Sequence, residues 1–314
     1  MSPKTQVIVN PESNQGRTRK SWKQIKESLR SFLSEYKFEF TEKPLQAIEI
    51  CRSAIKDGIE LVVGVGGDGT INEIANGFYE DKRIINPDTV LGVLPSGTGC
   101  DFSRSLKIPK GYHNAARAIQ EAPSTRIDVG KVSYKNHIGE EEDRYFLNIT
   151  DFGIGGEVLE RMTASREQRK ATSYFKSLVS TFLNYKPKKL RIKVDGEEIP
   201  ADEYMVGAVS NGKIFGKGMK IAPNALLDDG LFDLVLVKKM STGEFLRNAI
   251  KLYRGTHISH SKVEQIRGRR IQACAYPGEE QNQRVLIEVD GEQVGTLPAS
   301  FELIPGSILV KGYL

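Results

Sequence analysis

The sequence has few of the features that mark secreted or membrane-spanning proteins. Its three cysteines, Cys51, Cys100 and Cys274, form no Cys-x-x-Cys pair, so neither a disulfide framework nor a thiolate zinc site is expected. No run approaches the roughly 18 consecutive apolar residues that span a bilayer. The segment from Met1 to Asn14 also lacks the apolar core of a signal peptide. These absences predict a protein of the reducing cytoplasm.

A strong excess of charge of one sign is also lacking. The 45 basic and 40 acidic residues leave a net charge of +5, which is too small to indicate a nucleic-acid partner, although it allows a local basic patch. Apolar residues make up 39% and charged residues 27% of the chain, as in ordinary globular proteins. A length of 314 residues favours two domains over one.

Up to about residue 127 the sequence alternates short apolar runs with segments of helical periodicity. The runs QVIVN, KFEFT, LVVGV and VLGVL predict strands, with helices between them. Strands that are almost entirely apolar and alternate with helices are typical of a parallel sheet covered on both faces. The pattern predicts a Rossmann-like α/β domain over residues 1–127.

Beyond residue 128 the pattern changes to many strand-like segments separated by turn residues. Asp-Gly steps at 195–196, 229–230 and 290–291 suit tight turns. Helical segments are predicted only around 157–185 and 242–253. We therefore predict a β-rich sandwich or barrel over residues 128–304, and the tail from about 305 to 314 could return to either domain.

Two glycine-rich loops follow successive strands of the first domain. Gly66, Gly67 and Gly69 leave the third strand, where glycines let a phosphate approach backbone N–H groups at a helix N-terminus. Asp68 would repel a bare phosphate, so its presence indicates a divalent cation between the two. The second loop carries Gly97, Thr98, Gly99 and Asp101, and the two loops are expected to face one crevice.

Plainer interpretations of these loops stay open. Thr70-x-x-Glu73 matches a helix capping box, and Thr98-x-x-Asp101 matches a similar cap. Gly64, Gly66 and Gly69 match G-x-G-x-x-G, but that fingerprint belongs at the first strand of a dinucleotide-binding domain and here follows the third. The Walker pattern is absent from the sequence. Phosphate binding remains the favoured hypothesis.

At these residues the sequence resembles the diacylglycerol kinase catalytic family, in particular its soluble bacterial lipid-kinase branch. The matching segments are NPESNQG, GGDGTINEIANG, GVLPSGTGCDFSR, APNALLDDGLFDL and EVDGEQVGTLPASFELIPGSILV. They span nearly the whole chain in the family's order. Gly-Gly-Asp-Gly-Thr alone is shared with NAD kinases and is similar to phosphofructokinase loops, whereas the later segments favour lipid kinases.

The resemblance implies an α/β domain followed by a β-sandwich, with the C-terminal tail rejoining the first domain. It implies ATP- and Mg²⁺-dependent phosphorylation of a lipid hydroxyl. The implied nucleotide-binding residues are Asn10, Thr41, Gly66, Gly67, Asp68, Gly69, Thr70, Ile71, Asn72 and Thr98. The implied magnesium ligands are the Asp229 carboxylate and the carbonyls of Leu226 and Leu231, and the implied general base is Glu292. With Asp68 on the nucleotide-bound magnesium, we place Asp101 in the water and metal network between Asp68 and the base.

Two features of the sequence limit the resemblance. The family usually has Asn at the position of Cys100, which puts the substrate's identity in doubt more than phosphate binding. A thiol there is expected to pack rather than act as a nucleophile. In addition, Val-Asp-Gly-Glu occurs at 194–197 and at 289–292. Both read as hairpin turns, and only the resemblance selects Glu292 over Glu197.

A lipid substrate requires access to a membrane surface. Tyr174, Phe175, Leu178, Val179, Phe182 and Leu183 form a helical stripe ahead of Lys186, Lys188, Lys189 and Arg191, and Arg267–Arg270 is a second basic segment. The stripe fits either peripheral membrane contact or a core-facing helix. The sequence also allows a homodimer. Two alternatives to a lipid kinase are a NAD-type kinase with a soluble substrate and a catalytically silent nucleotide- or lipid-binding regulator.

Overall fold

The computed structural model describes residues 2–164, 171–278 and 284–314, without the side chains of 163, 164 and 171–176. The chain forms two compact units, Met1–Val129 with Pro305–Leu314, and Gly130–Ile304. None of the described helices combines the length and the hydropathy that crossing a bilayer requires.

The first unit is built on a parallel sheet in the order β2, β1, β3, β6 and the end of β16. Its strands are β1 (Thr5–Val9), β2 (Lys37–Phe40), β3 (Leu61–Gly66), β6 (Val90–Pro95) and the last residues of β16 (Glu292–Lys311), with a small hairpin of β4 (Tyr79–Glu80) and β5 (Arg83–Ile84). Its helices are α1 (Ser13–Arg30), α2 (Gln46–Lys56), α3 (Asp68–Gly77), α4 (Asp101–Ser105) and α5 (Tyr112–Glu121). This parallel α/β architecture confirms the predicted fold class.

Burial explains why these strands were predictable. Every residue of β1 and β3 is buried, as expected where helices cover both faces of a parallel sheet. Helix α1 packs with α5, and α2 packs with α3. Helix α1 begins irregularly, because Asn14, Gln15 and Gly16 have left-handed backbone angles ahead of the regular helix.

The C-terminal tail returns to the first unit. Leu309 and Val310 of β16 pair with Val90 and Leu91 of β6. The Gly306 amide donates to the Asp128 carboxylate at 2.7 Å.

The second unit is a β-sandwich-like domain of antiparallel strands. Strand β12 lies between β13 and β11, and β11 also pairs with β10 and β9. The strands are β7 (Ser124–Asn136), β8 (Glu141–Phe146), β9 (Ile149–Gly153), β10 (Lys188–Val194), β11 (Glu197–Ser210), β12 (Phe232–Lys238), β13 (Val263–Gly268), β14 (Arg270–Ala275), β15 (Leu286–Val289) and the first part of β16. The helices are α6 (Ile154–Ala164), α7 (Ala171–Asn184) and α8 (Thr242–Arg254), and a short 3₁₀ turn spans His257–Ser259.

The predicted helical segment at 157–185 is divided between α6 and α7, and residues 165–170 lie outside the described part of the chain. Leu178 and Phe182 of α7 are buried, and the Phe182 ring stacks on Phe245 of α8 with 4.1 Å between ring centroids. These contacts favour the core interpretation of the stripe, although Leu183 is exposed. The side chains of Tyr174 and Phe175 lie outside the described residues.

Candidate active site

The two glycine loops of the first unit contact each other. Strands β3 and β6 are adjacent and parallel, with Gly66 opposite Pro95, so both loops leave the same edge of the sheet. The Ser96 amide donates to the Gly66 carbonyl at 2.8 Å. A Cβ atom on Gly97 would overlap the backbone of Gly67. Glycine at 97 is therefore required by this close approach of two main chains.

Asp68 joins the two loops through its carboxylate. Its Oδ2 accepts from the Asp101 amide at 3.1 Å, and its Oδ1 accepts from the Phe102 amide at 3.0 Å. Helix α4 begins at Asp101 and has no cap from its own N-cap side chain. Asp68 therefore supplies the acceptor that the free N–H groups of a helix N-terminus need.

The structure does not form the capping boxes that stayed open as plainer interpretations of the two loops. Helix α3 begins at Asp68 after Gly67, so Thr70 and Glu73 lie inside the helix rather than at its cap. The Thr70 hydroxyl instead accepts from Asn10 Nδ2 at 3.0 Å, and the Glu73 carboxylate accepts from the Ala47 amide at 3.3 Å. Helix α4 begins only at Asp101, so Thr98-x-x-Asp101 forms no cap either.

Burial raises the pKa of Asp68, and the amide hydrogen bonds at the start of α4 oppose that shift. The side chain is only partly buried. A carboxylate has about four lone-pair positions, and two of these accept the amides. The remaining positions could hold a cation at this edge of the sheet.

Polar side chains from the exit of β1 complete the same edge. The main-chain amide of Asn10 donates to the Val65 carbonyl at 3.0 Å, while its side-chain amide donates to the Thr70 hydroxyl. Thr18 Oγ1 lies 2.5 Å from Ser13 Oγ and 2.6 Å from Ser96 Oγ. Sequence reasoning missed Ser13, Thr18 and Ser96, because isolated serines and threonines carry no signal until the loops are brought together.

The predicted nucleotide-binding residues differ in accessibility. Thr41, Thr70, Ile71 and Asn72 are buried. Gly67, Asp68 and Gly69 are partly exposed, and Thr98 is exposed. A ligand at this edge would therefore meet the backbone of the two glycine loops before it met the side chains inside α3.

Asp101 is buried, and its carboxylate pairs with Arg104 Nη1 at 2.5 Å. Its placement in a metal network stays a prediction.

Cys100 fits the second loop as a packed thiol. Its φ of 55° and ψ of 45° are left-handed, a conformation that Asn adopts more readily than most residues. The Gly97 amide donates to Cys100 Sγ at 3.2 Å, which closes the loop. Burial and the neighbouring Asp68 charge raise the pKa of the thiol to about 12. The thiol is therefore protonated at neutral pH and is no nucleophile.

In the second unit, the turn that carries Glu292 is anchored by Asp290. The Asp290 carboxylate accepts the amides of Leu147, Asn148 and Ile149 at 3.0, 3.2 and 3.0 Å. Glu292 is half-buried and pairs with Arg144 Nη2 at 2.6 Å. The predicted base is thus a carboxylate of fixed orientation on a fixed turn.

The predicted magnesium turn contains an ion pair. Asp229 pairs with Arg267, and its Oδ1 accepts the Leu231 amide at 3.2 Å. Asp233 is buried, and its Oδ2 has no hydrogen-bond partner among the described residues. A cavity of about 300 Å³ is lined by Asn224, Leu226, Asp229, Asp233, Gln265 and Arg267.

Carboxylate and amide oxygens are hard ligands of the kind that Mg²⁺ takes, so this donor set fits the ion. Arg267 is the competing cation at Asp229. In the described part of the chain, no three His, Cys, Asp or Glu side chains converge as a metal cluster. Any magnesium here would therefore depend on amide and carbonyl oxygens as well as carboxylates.

A second cavity, of about 80 Å³, lies within the second unit and is almost wholly apolar. It is lined by Asp151, Ile154, Gly155, Leu178, Phe182, Met205, Val206, Phe215, Met219, Ile221, Val237, Met240, Phe245, Asn248, Ala249, Leu252, His257, His260 and Val263. No motif in the sequence predicted it, because its walls come from ordinary core residues of several strands and helices.

Asp151 is the acidic group in the wall of this cavity. It is 1% exposed, and its Oδ1 has no hydrogen-bond partner within the described residues. It lies opposite Glu288 in the β9–β15 pair. Burial raises the pKa of Asp151 to about 7, and a hydrogen bond from Glu288 opposes the shift.

Comparison with known proteins agrees with this architecture. Residues 4–132 match the diacylglycerol kinase catalytic domain, and residues 148–311 match the YegS C-terminal NAD kinase beta sandwich-like domain. The chain is 29% identical to a diacylglycerol kinase of Staphylococcus aureus (strain MRSA252), over 96% of this chain and 90% of that protein. It is 28% identical to a diacylglycerol kinase of Bacillus subtilis (strain 168), over 95% and 92%.

Solved structures share the fold at lower identity. A diacylglycerol kinase from Bacillus anthracis str. Sterne has a TM-score of 0.73 at 23% identity, covering 99% of this chain and 97% of that chain. An NAD kinase from Archaeoglobus fulgidus, solved in complex with ATP, has a TM-score of 0.50 at 13% identity, covering 98% and 93%. The two domain matches, in sequence order over nearly the whole chain, show that this protein is a kinase belonging to the diacylglycerol kinase catalytic-domain family.

Proposed function

We propose that this protein is an ATP- and magnesium-dependent lipid kinase, which transfers the γ-phosphate of ATP to the hydroxyl of diacylglycerol or a related lipid alcohol. The observation that supports a lipid substrate is the apolar cavity of the second unit, whose walls are mostly Leu, Ile, Val, Met and Phe side chains. A chain of methylene groups gains free energy in such surroundings. The polar dinucleotide that a NAD-type kinase phosphorylates would not.

The glycine loops supply the phosphate-binding end of the reaction. Backbone N–H groups of Gly66 to Thr70, from the end of β3 to the first turn of α3, would receive the phosphates of ATP. Asp68 would hold the nucleotide's magnesium while its other lone pairs keep α4 in place. Asp229, with the carbonyls of Leu226 and Leu231, would hold a second magnesium in the other unit. Bound magnesium neutralises phosphate charge.

Glu292 would act as the base for the lipid alcohol. The hydroxyl proton passes to a Glu292 carboxylate oxygen as the alcohol oxygen bonds the γ-phosphorus and the bond from that phosphorus to the β-phosphate oxygen breaks. The ion pair with Arg144 fixes the carboxylate's orientation, which a general base requires. We further propose that the enzyme works from the cytoplasm at a membrane surface, where its substrate resides.

A substrate panel tests the proposal. The pure protein is incubated with labelled ATP, magnesium and, separately, diacylglycerol, monoacylglycerol, phosphatidylglycerol, a sphingoid base and NAD. Label in an organic-extractable product is expected. Label in NADP would favour the NAD-type kinase, and no product despite ATP binding would favour a silent regulator. Asp68→Ala is expected to abolish turnover in a protein that keeps the wild-type circular dichroism.

Filling the cavity tests the lipid site itself. Ala249 is buried and lines the apolar cavity, so Ala249→Leu is expected to raise KM for long-chain diacylglycerol by roughly ten-fold while kcat changes little. The matched comparison is diacetylglycerol, whose acetyl chains are short enough to leave the cavity partly unfilled, so its KM should rise less. Equal KM values for wild type and variant on both acceptors would place the acyl chains elsewhere.

A further inference from the structure

Helix α8 has an apolar face buried in its unit and a second apolar face in solvent. Phe245 and Ala249 are buried and line the apolar cavity. Leu246, Ile250 and Tyr253 are 51%, 63% and 39% exposed. Because α-helical residues advance about 100° each, these three side chains form one stripe along the exposed flank of the helix. Three large apolar groups on one exposed face exceed the scattered single residues of an ordinary surface.

The helix holds this stripe in a defined position. Ser241 forms a capping box with Glu244 at its N-terminus, and Gly255 ends it in a left-handed conformation. The Glu244 carboxylate is also bonded to Lys262 at 2.9 Å. Phe245 stacks on Phe182 of α7. The exposed residues are therefore displayed on a helix that is capped at both ends and packed along its inner side.

Cations follow the apolar stripe one position further along. Arg247, Lys251 and Arg254 have the same spacing as Leu246, Ile250 and Tyr253, so they form a second, parallel stripe. Glu244, the one acidic residue of the helix, is engaged by Lys262 and the cap. Adjacent apolar and cationic stripes are typical of helices that lie in the interface of an anionic bilayer.

We propose that this docking face, Leu246, Ile250 and Tyr253 with Arg247, Lys251 and Arg254, binds the surface of an anionic lipid bilayer. The proposal rests on the proposed lipid kinase function for its purpose, because the inner side of the same helix forms a wall of the apolar cavity. Docking would bring that wall to the membrane surface, where a lipid enters. A second copy of the chain is a poorer occupant, since pairing two such faces would bring six cations together.

Vesicle binding tests the docking face. The full chain is sedimented with 100 nm vesicles of phosphatidylglycerol and phosphatidylcholine, and with phosphatidylcholine alone. Wild type is expected to bind the anionic vesicles and to lose most binding at high salt. Leu246→Gln with Ile250→Gln should weaken binding at least ten-fold. Lys251→Gln with Arg254→Gln should weaken it roughly 30-fold, since each cation near an anionic surface contributes about five-fold.

Matched controls come from exposed residues elsewhere. Ile138 is 78% exposed in the turn after β7, and Ile138→Gln should leave binding unchanged. Lys20→Gln with Lys23→Gln removes two exposed cations from α1 and should reduce binding far less than the α8 pair. Wild-type binding by the α8 variants, equal losses in the controls, or equal binding of wild type to neutral vesicles would overturn the proposal. So would a wild-type dimer in gel filtration that the α8 variants convert to monomer.

The kinase assay separates this proposal from the proposed function. On dioctanoylglycerol dispersed in detergent, the docking-face variants should keep wild-type turnover, because the acceptor no longer has to be taken from a bilayer. If no lipid is phosphorylated but vesicle binding still depends on α8, the docking proposal is supported and the proposed substrate is wrong. If lipid is phosphorylated but the α8 variants bind vesicles like wild type, the proposed substrate is supported and the docking proposal is wrong.

Discussion

The two Val-Asp-Gly-Glu turns of the second unit have the same sequence and similar backbone conformations, but their surroundings differ. Asp195 and Gly196 have φ angles of 49° and 93°, and Asp290 and Gly291 have 45° and 92°. Each pair joins antiparallel strands, β10 to β11 and β15 to β16. The tetrapeptide therefore specifies a hairpin turn in both places, and any chemical role must come from what surrounds it.

The surroundings differ in burial and in partners. Asp195 is exposed and accepts the amides of Arg269 and Arg270. Asp290 is buried and accepts three amides from the end of the β8–β9 connection and the first residue of β9. Glu197 is exposed, while Glu292 is held by Arg144. A motif match alone could not separate the turns, because the difference is made by residues more than 140 positions away.

The largest expected difference is catalytic. Glu292→Gln should lower kcat on diacylglycerol by about 10²–10⁴, because an amide cannot accept the hydroxyl proton. Glu197→Gln, the same change on the other turn, should leave kcat within two-fold. Steady-state kinetics on both purified variants checks this. Similar kcat values for the two variants would remove Glu292 from the reaction and erase the distinction between the turns.

The next difference is in stability. Asp290→Ala leaves three buried amides without an acceptor and should lower the free energy of unfolding by about 3 kcal/mol. Asp195→Ala imposes the same left-handed strain on Ala but uncovers exposed amides, so about 1 kcal/mol is expected. Urea unfolding followed by circular dichroism measures both. Losses of the same size would mean that the strain, rather than the buried bonds, dominates.

The third comparison concerns the residues just before the turns. Glu288 precedes Asp290 by two positions and faces the buried Asp151, whereas Lys193 holds the equivalent place before Asp195 and faces Gln272. The pKa of Asp151 is raised to about 7, from about 3.9 in an unfolded chain. The folded protein binds the Asp151 proton more tightly than the unfolded chain does, and this stabilises the fold. The stabilisation is complete below pH 4, is lost as the pH rises toward 7, and stays lost above that.

Asp151→Asn removes this titration. Relative to wild type, the variant should become more stable by roughly 2 kcal/mol between pH 5 and pH 8. Urea unfolding at the two pH values gives the change for the Asp151–Glu288 pair, because titrating groups that do not contact this pair cancel in the difference. A difference that is constant with pH would show that Asp151 keeps an ordinary affinity for its proton in the folded protein.

Much of the fold followed from hydrophobic periodicity. Strands β1, β3 and β6 were predictable because burial on both faces makes them continuous apolar runs. The start of α1 was not, since a left-handed turn at Asn14, Gln15 and Gly16 cannot be read from helical spacing. Strand β13 was also missed, because its sequence VEQIRG alternates apolar and polar residues too weakly. The Asp229-Gly230 step lies in the long connection between β11 and β12 rather than in a two-residue hairpin.

The candidate site was predictable only where neighbours in the sheet are also neighbours in sequence order. Contact between the glycine loops follows from adjacent parallel strands. The capping of α4 by Asp68 and the Asp151–Glu288 pair depend on loop geometry and strand register, which one sequence does not specify. The exposed apolar stripe of α8 could have been predicted from the sequence. Phe245, Leu246, Ala249, Ile250, Leu252 and Tyr253 make an apolar arc too wide for a single buried face.

Because the backbones of Gly67 and Gly97 are in contact, the sequences of the two loops must change together if the contact is to be kept. A chimaera that takes residues 64–72 from one relative and 95–102 from another must preserve both the bare main-chain contact and the carboxylate that spans it. Exchanging the segments together keeps every such pairing intact. A mutant library of these loops should therefore vary both segments at once. If only one segment varies, each variant must still fit the unchanged backbone of the other, and most substitutions would be lost.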